Sequence, residues 1–318
     1  MTSSLLLRIG TRGSPLARWQ ADWVAARLRE AGHAVELVPI STRGDRQQVG
    51  PIGQIAGGDG VFTKELQRAL LAGEIDLAVH SLKDLPTEPV AGLALAAVPP
   101  RAPDGDVLVS QHRSVDELPQ GAIVGTGSLR RRAQLLHRRP DLQMVGVRGN
   151  VETRLAKLGR GEYAALVLAE AGLQRLGLQQ HIGQRLPKTL MLPAVGQGAL
   201  GIEARADDEP TRAVLAAMDD PDTRAAVTAE RAMLARLSGG CLAPVGAWGR
   251  WESGRLTLAG VVLSVDGAQR LAAELVAGAT HAADPRKSLA EDLGRQVADA
   301  LLGQGAASLI DEARQKGA

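Results

Sequence analysis

"RIGTRGSPLAR", residues 8–18, holds the pattern on which the chain is built. A short apolar strand leads into Gly10 and Thr11, and small residues then open an amphipathic helix. "IVGTGSLRRRA", residues 123–133, has the same order of strand, Gly-Thr, small residues and helix. The chain is therefore predicted to contain two related units in which strands alternate with helices.

Two further pairs of stretches recur in the same order. Residues 37–45, "LVPISTRGD", resemble residues 144–150, "MVGVRGN", and residues 73–85, "GEIDLAVHSLKDL", resemble residues 161–173, "GEYAALVLAEAGL". One pair this short can arise by chance. Three pairs in one order favour two related α/β lobes.

Proline-rich and crossing segments of the chain predict where the lobes begin and end. Consecutive prolines in residues 98–103, "VPPRAP", indicate a boundary, and residues 192–205 are predicted to cross back to the first lobe. A helix, a strand pair turning at Asp266-Gly267 and further helices then predict a small α+β domain. We expect an N-terminal lobe of residues 1–98 with 200–217, a second lobe of residues 99–199 and a C-terminal domain of residues 218–318.

Composition disfavours several classes of protein. Aromatic residues make up only 2% of the chain, so bases of single-stranded nucleic acid find few side chains to stack on. No apolar stretch is long enough for a membrane span, and the one at the N-terminus is too short for a signal peptide. The six histidines show no metal-binding spacing, so no metal site is expected. A single cysteine agrees with a reducing compartment, and we expect a cytoplasmic protein.

Candidate catalytic and binding residues follow the strand in residues 76–80, "DLAVH". Two lobes of this kind are expected to turn their strand ends and helix N-termini toward a shared crevice. Ser81, Lys83 and Asp84 would lie at its mouth, where a carboxylate beside a lysine can move protons or stabilise a developing cation. A solvated ion pair at an exposed strand end would give the same pattern.

Cationic residues recur at several strand ends. Residues 125–132, "GTGSLRRR", open a helix whose free amides and guanidinium groups can bind anions. Arg12 and Ser14 occupy the matching place in the first lobe, and Arg148 and Arg154 follow another strand. A solvated basic helix face is the alternative for any one segment. The recurrence predicts a ligand with several negative charges.

The only cysteine, Cys241, lies in residues 236–246, "RLSGGCLAPVG", between a glycine pair and a proline. A cysteine kept for packing more often sits inside an apolar helix or strand. This position favours a reactive thiol, although a surface cysteine of no importance fits the stretch equally well.

Eleven stretches, taken in order along nearly the whole chain, resemble the porphobilinogen deaminase family, also called the hydroxymethylbilane synthases. They read "GTRGSPLA", "STRGD", "GVFTKEL", "DLAVHSLKDLP", "IVGTGSLRRR", "RRPDL", "VRGNVETRL", "AGLQRLG", "LPAVGQGALGIEAR", "AERAML" and "GGCLAPVG". The resemblance implies a monomeric transferase of tetrapyrrole and haem biosynthesis that joins four porphobilinogen units head to tail, releases ammonia and hydrolyses the product to hydroxymethylbilane. It also implies an α/β fold of two type II periplasmic-binding-protein-like lobes plus a small C-terminal α+β domain.

The same resemblance implies a dipyrromethane cofactor, held as a permanent primer by a thioether to Cys241. Asp84, beside Lys83, would assist loss of ammonia and stabilise the azafulvene cation. Phe62 would pack over a pyrrole ring, although a core anchor for the following helix explains it nearly as well. The residues implied in cofactor binding are Lys83, Asp84, Thr126, Ser128, Arg130, Arg131, Arg148, Arg154, Gly172 and Cys241; those implied in substrate binding are Arg12, Ser14, Phe62, Ser81, Arg148, Arg154 and Arg175.

The sequence departs from the family pattern at a few positions. Gly127 replaces a usual serine, Ile55 and Asp59 lie in a flap where lysines are frequent, and Gly105 stands where an arginine is common. A non-catalytic bilobal anion-binding protein or ligand sensor is the alternative function. Such a protein would need neither Cys241 nor Asp84.

Overall fold

The computed structural model describes residues 4–41, 63–237, 243–278 and 285–316. The chain forms two compact units, and each is described by itself. Unit 1 comprises Met1–Arg101 and Ala199–Pro221, and unit 2 comprises Ala102–Gly198 and Asp222–Ala318.

Thirteen strands and nine helices are found in the described residues. The strands are β1 (Leu6–Thr11), β2 (Ala34–Pro39), β3 (Leu77–Ser81), β4 (Leu93–Ala97), β5 (Asp106–Ser110), β6 (Ile123–Gly125), β7 (Gln143–Val145), β8 (Ala165–Ala169), β9 (Gln184–Arg185), β10 (Leu200–Arg205), β11 (Val245–Glu252), β12 (Arg255–Leu263) and β13 (Arg270–Gly278). The helices are α1 (Pro15–Glu30), α2 (Lys64–Leu71), α3 (Leu129–Arg138), α4 (Val151–Gly159), α5 (Glu170–Arg175), α6 (Glu209–Ala216), α7 (Pro221–Arg236), α8 (Pro285–Gly303) and α9 (Ala306–Lys316). Short 3-10 turns at Leu82–Asp84 and Gln179–His181 complete the described structure.

Unit 1 is built on a five-stranded sheet of order β2-β1-β3-β10-β4. Strand β1 is parallel to β2 and β3, whereas β10 is antiparallel to both β3 and β4. The end of the stretch predicted to cross back, residues 200–205, is thus a strand of this sheet, while the predicted domain boundaries stay a prediction. Alternate residues of the strands, among them Leu7 and Ile9, pack against α1 to form a buried core.

Unit 2 contains a second sheet with the same plan, of order β7-β6-β8-β5-β9. Strand β6 takes the place of β1, with parallel neighbours β7 and β8, and β5 is antiparallel to β8. A Cβ atom on Gly125 would lie 2.6 Å from Leu166, and one on Gly10 would collide with Ile75. The glycine of both Gly-Thr pairs is thus explained by close packing at the strand end.

The C-terminal part of unit 2 forms a three-stranded antiparallel sheet, β11-β12-β13. Helices α7, α8 and α9 cover one face of this sheet in a core that includes Met233, Leu258 and Val297. The turn predicted at Asp266-Gly267 joins β12 to β13, with Gly267 at a φ of 75°. The fold class predicted from the sequence is therefore confirmed: two related α/β lobes with a small C-terminal α+β domain.

The described residues bear on two features considered in the sequence analysis, membrane spans and metal sites. None of the helices there has both the length and the apolar character of a membrane span. No cluster of three or more histidine, cysteine or acidic side chains suited to a metal ion is found in the same parts of the chain.

Candidate active site

A pocket in unit 1 lies where β1 and β3 end and α1 begins. It brings together four of the residues singled out from the sequence: Arg12, Ser14, Ser81 and Asp84. Ser14 also caps α1, because its hydroxyl accepts a hydrogen bond of 3.3 Å from the Ala17 amide. These four residues give the pocket a guanidinium group, two hydroxyls and a carboxylate.

Asp84 stands on a firmly held turn. The amide of Leu82 donates to the Ala199 carbonyl at 3.0 Å, and Leu82 itself is 1% exposed. The half-buried Asp84 carboxylate makes no hydrogen bond or ion pair with another residue in the described part of the chain. Its neighbour Lys83 is not among the described residues that line this pocket. Asp84 is thus presented to the pocket with its oxygens available to a ligand.

The pocket also contains residues that the sequence did not single out: Gln20, Thr63 and His80. His80 Nε2 lies 3.0 Å from Glu203 Oε2, and both side chains are almost fully buried. Gln67 Nε2 donates to the two Glu203 oxygens at 3.2 and 3.1 Å. No local signal in the sequence pointed to Glu203, because alternation along β10 places it with Gly201 and Arg205, on the face opposite the apolar residues of the strand.

The matching place in unit 2 is the end of β6 and the beginning of α3. Ser128 caps α3 by accepting a hydrogen bond of 3.4 Å from the Arg131 amide, and its own amide donates to Thr126 Oγ1 at 3.2 Å. A Cβ atom on Gly127 would lie 3.3 Å from the Val147 carbonyl oxygen. A serine at this position, usual in the family that the sequence resembles, would therefore press against that carbonyl.

Arg130 and Arg131 lie inside unit 2, where they are 4% and 7% exposed. Arg130 Nη1 donates to Asp106 Oδ2 at 2.7 Å, and Arg131 Nε donates to Asp106 Oδ1 at 2.8 Å. Further donations reach the carbonyls of Leu192, at 2.6 Å, and Val167, at 3.1 Å. These bonds join α3 to β5 and β8, so the role in cofactor binding that the sequence assigns to both arginines stays a prediction.

Asp106 is the counter-charge of this buried cluster. Burial alone would raise the pKa of Asp106, but the charges of Arg130 and Arg131 and their hydrogen bonds hold it well below its usual range. Burial lowers the pKa of Arg130, and the Asp106 charge opposes that shift. One carboxylate is therefore the shared counter-charge of two buried arginines inside unit 2.

We expect Asp106→Asn to lower the free energy of unfolding by about 3–5 kcal/mol, because it leaves two buried guanidinium groups without their counter-charge. Urea unfolding at neutral pH measures the change. The matched control is Asp116→Asn, whose exposed ion pair with Arg138 should contribute less than about 1 kcal/mol. Since the pKa of Asp106 is depressed, its contribution is present above about pH 4 and is lost as the pH falls further. Equal losses in the two variants would contradict the expectation.

Three other predicted arginines are placed near the ends of β7 and β8. Arg148 is half-buried, and its guanidinium group makes no hydrogen bond or ion pair with another described residue. Arg154 Nε donates to the Gly149 carbonyl at 2.9 Å. Arg175, which ends the helix that contains Gly172, donates to the Gly198 carbonyl at 2.7 Å, and burial lowers its pKa to about 10. At neutral pH, well below that value, Arg175 is a cation.

The remaining predicted positions complete the comparison. A Cβ atom on Gly105 would make only ordinary contact, 3.6 Å from Lys188 Nζ, which pairs with Asp104. Cys241, Phe62, Ile55 and Asp59 lie outside the described residues, so the roles assigned to them stay predictions.

Comparison with protein families gives two matches that together span most of the chain. Residues 7–213 match the model described as the dipyromethane cofactor binding domain of porphobilinogen deaminase. Residues 224–303 match the model described as the porphobilinogen deaminase C-terminal domain.

Several curated proteins are similar over almost their whole length. Porphobilinogen deaminase from Geobacter metallireducens is 48% identical over 312 residues, covering 98% of this chain and 95% of the relative. The protein of the same name from Desulforudis audaxviator is 51% identical over 309 residues, covering 96% and 97%. A solved structure of the methionine-binding protein MetQ has a TM-score of 0.44 and 15% identity, covering 67% of this chain and 89% of that one.

Proposed function

The chain belongs to the porphobilinogen deaminase family, and from this we propose that it joins four porphobilinogen units head to tail, releases ammonia and hydrolyses the chain to hydroxymethylbilane. This is a transferase reaction of tetrapyrrole and haem biosynthesis. The alternative, a non-catalytic anion-binding protein, is not favoured, because the relatives share one enzyme name across nearly the whole chain.

The observation that carries the proposal is the pocket of unit 1. Among the described residues that line it are one carboxylate, Asp84, the guanidinium group of Arg12 and the hydroxyls of Ser14 and Ser81. Porphobilinogen has an acetate, a propionate and an aminomethyl group on one pyrrole ring. Cations and hydroxyls suit the two carboxylates, and a carboxylate suits the part of the molecule that becomes positive.

Each residue then has a definite task during loss of ammonia. Arg12, Ser14 and Ser81 bind the acid side chains of the substrate and orient the ring. As the protonated aminomethyl group departs as ammonia, positive charge spreads over the pyrrole, and the Asp84 carboxylate stabilises that charge through the pyrrole N–H. After the new carbon–carbon bond forms, Asp84 takes up the proton lost from the attacked ring carbon.

The donors in unit 2 fit a dipyrromethane group. Thr126 and Ser128 offer hydroxyls at the end of β6, and the Arg148 guanidinium group, which has no partner among the described residues, lies beyond β7. Hydroxyls and guanidinium groups are suitable donors for the carboxylates of such a group. When bound, this group supplies the primer from which the chain grows. Cys241 would hold it through a thioether.

We also propose that the protein is a cytoplasmic monomer with the three domains predicted from its sequence. Support for the compartment comes from the single cysteine, because thioether formation requires a reduced thiol. Support for three domains comes from the three separate sheets.

Intact-mass measurement of the purified protein tests the function. We expect a mass above that of the unmodified polypeptide, together with colour from a pyrrole-specific acidic aldehyde reagent. Addition of porphobilinogen should release ammonia and yield hydroxymethylbilane. A polypeptide that has the unmodified mass, gains no adduct on incubation with porphobilinogen and releases no ammonia would contradict the proposal.

A further inference from the structure

Gln20 is a buried polar residue beside the pocket of unit 1. It lies on α1, is 2% exposed, and its Nε2 donates a hydrogen bond of 2.8 Å to Ser81 Oγ at the end of β3. Both residues line the pocket together with Arg12 and Asp84. Sixty-one positions separate Gln20 from Ser81, so the pairing depends entirely on how α1 packs on the sheet.

The direction of this hydrogen bond, from Gln20 to Ser81, follows from the groups that form it. An amide nitrogen can only donate, whereas a serine hydroxyl has one proton and two lone pairs. Because Gln20 Nε2 uses a lone pair of Ser81 Oγ, the hydroxyl proton has to be directed elsewhere. No acceptor for that proton is seen among the described residues, and the hydroxyl borders the pocket.

We propose that Gln20 is a positioning residue that makes Ser81 a hydrogen-bond donor toward the pocket. This inference rests on the proposed function and refines it. Porphobilinogen has two acidic groups and one aminomethyl group, and a hydroxyl that is free to turn can serve either kind. With one of its two lone pairs occupied by Gln20 and its proton directed to the pocket, Ser81 favours a substrate carboxylate over the ammonium group, which is left to Asp84. Gln20 thereby selects one orientation of the substrate.

Steady-state kinetics of Gln20→Met test the inference, because methionine has a similar length and lacks the amide. We expect KM for porphobilinogen to rise about tenfold, the scale of one hydrogen bond to a charged group, with kcat within about twofold of the unchanged protein. In a Ser81→Ala background the same substitution should leave KM unchanged within about twofold, because Gln20 acts only through Ser81.

Calorimetry provides a readout that does not depend on turnover. In the Asp84→Asn background, where turnover is expected to be lost, Gln20→Met should raise the Kd for porphobilinogen by the same factor of about ten. A purely structural role of Gln20 would lower Tm and change KM equally with serine or alanine at position 81.

An unchanged KM and Kd in Gln20→Met, or an equal rise in KM in both backgrounds, would overturn the inference. Failure of the proposed function has a different signature, since the unsubstituted protein would then release no ammonia from porphobilinogen. If that protein binds porphobilinogen without turnover, the Kd values of Asp84→Asn with and without Gln20→Met still decide the role of Gln20.

Discussion

Replacing Asp84 by asparagine should lower kcat by about a thousandfold while the fold stays intact. The substitution keeps the shape of the side chain but removes both its charge and its ability to take up a proton. In the structure this carboxylate lines the pocket and has no hydrogen-bond or ion-pair partner among the described residues. Its loss therefore removes stabilisation of the developing pyrrole cation without breaking an internal ion pair.

Ammonia release measures kcat, and two further variants serve as comparisons for Asp84→Asn. Asp84→Glu keeps the charge but displaces it by one methylene, so we expect kcat between those of Asp84→Asn and the unchanged protein. Asp22→Asn is the matched control, because Asp22 is an exposed acid of α1 outside the pocket, and kcat should change by less than about twofold. Near-normal turnover by Asp84→Asn, with an unchanged Tm, would show that Asp84 does not have the assigned role.

Cys241→Ser should remove the covalent cofactor and with it nearly all turnover. A thiolate is a far better nucleophile than a serine hydroxyl at neutral pH, and the chain contains no second cysteine that could replace it. The purified variant should have the mass of its polypeptide and give no colour with the acidic aldehyde reagent. Mass spectrometry before and after incubation with porphobilinogen measures the effect.

Ser238→Ala serves as the control for the same stretch, since it alters a neighbouring polar residue and keeps the thiol. We expect this variant to carry the adduct and to turn over porphobilinogen normally. An adduct of full stoichiometry on Cys241→Ser would mean that the cofactor is attached through another residue.

Local patterns in the sequence were sufficient to predict the order of strands and helices in the two lobes. Each Gly-Thr stretch marks a strand end followed by a helix, and Ser14 and Ser128 both cap the helices that they were predicted to open. Capping and strand alternation involve residues a few positions apart, so they can be recognised without knowing the rest of the structure. The duplicated order of these signals predicted two sheets of the same topology, which the strand orders confirm.

The candidate site was only partly predictable from the sequence. Ser81 and Asp84 were singled out by their position after β3, and both line the pocket of unit 1. The chemistry assigned to them came from the resemblance to a known family and stays a prediction. Gln20 and His80 were not predicted as site residues, because a polar residue on a helix or strand usually indicates a solvated face. Both prove to be buried beside the pocket.

The sequence by itself thus determined the strand and helix order, the duplication, the family and the side chains available for chemistry. Only the tertiary structure decided which groups meet: Arg130 and Arg131 bond to Asp106, Gln20 bonds to Ser81, and His80 Nε2 lies 3.0 Å from Glu203 Oε2. The reason is that these partners lie 24 to 123 positions apart along the chain, a difference read directly from their numbers. A guanidinium, amide or imidazole group can pair with many partners, and only the packing of α1, α2 and α3 on their sheets selects among them.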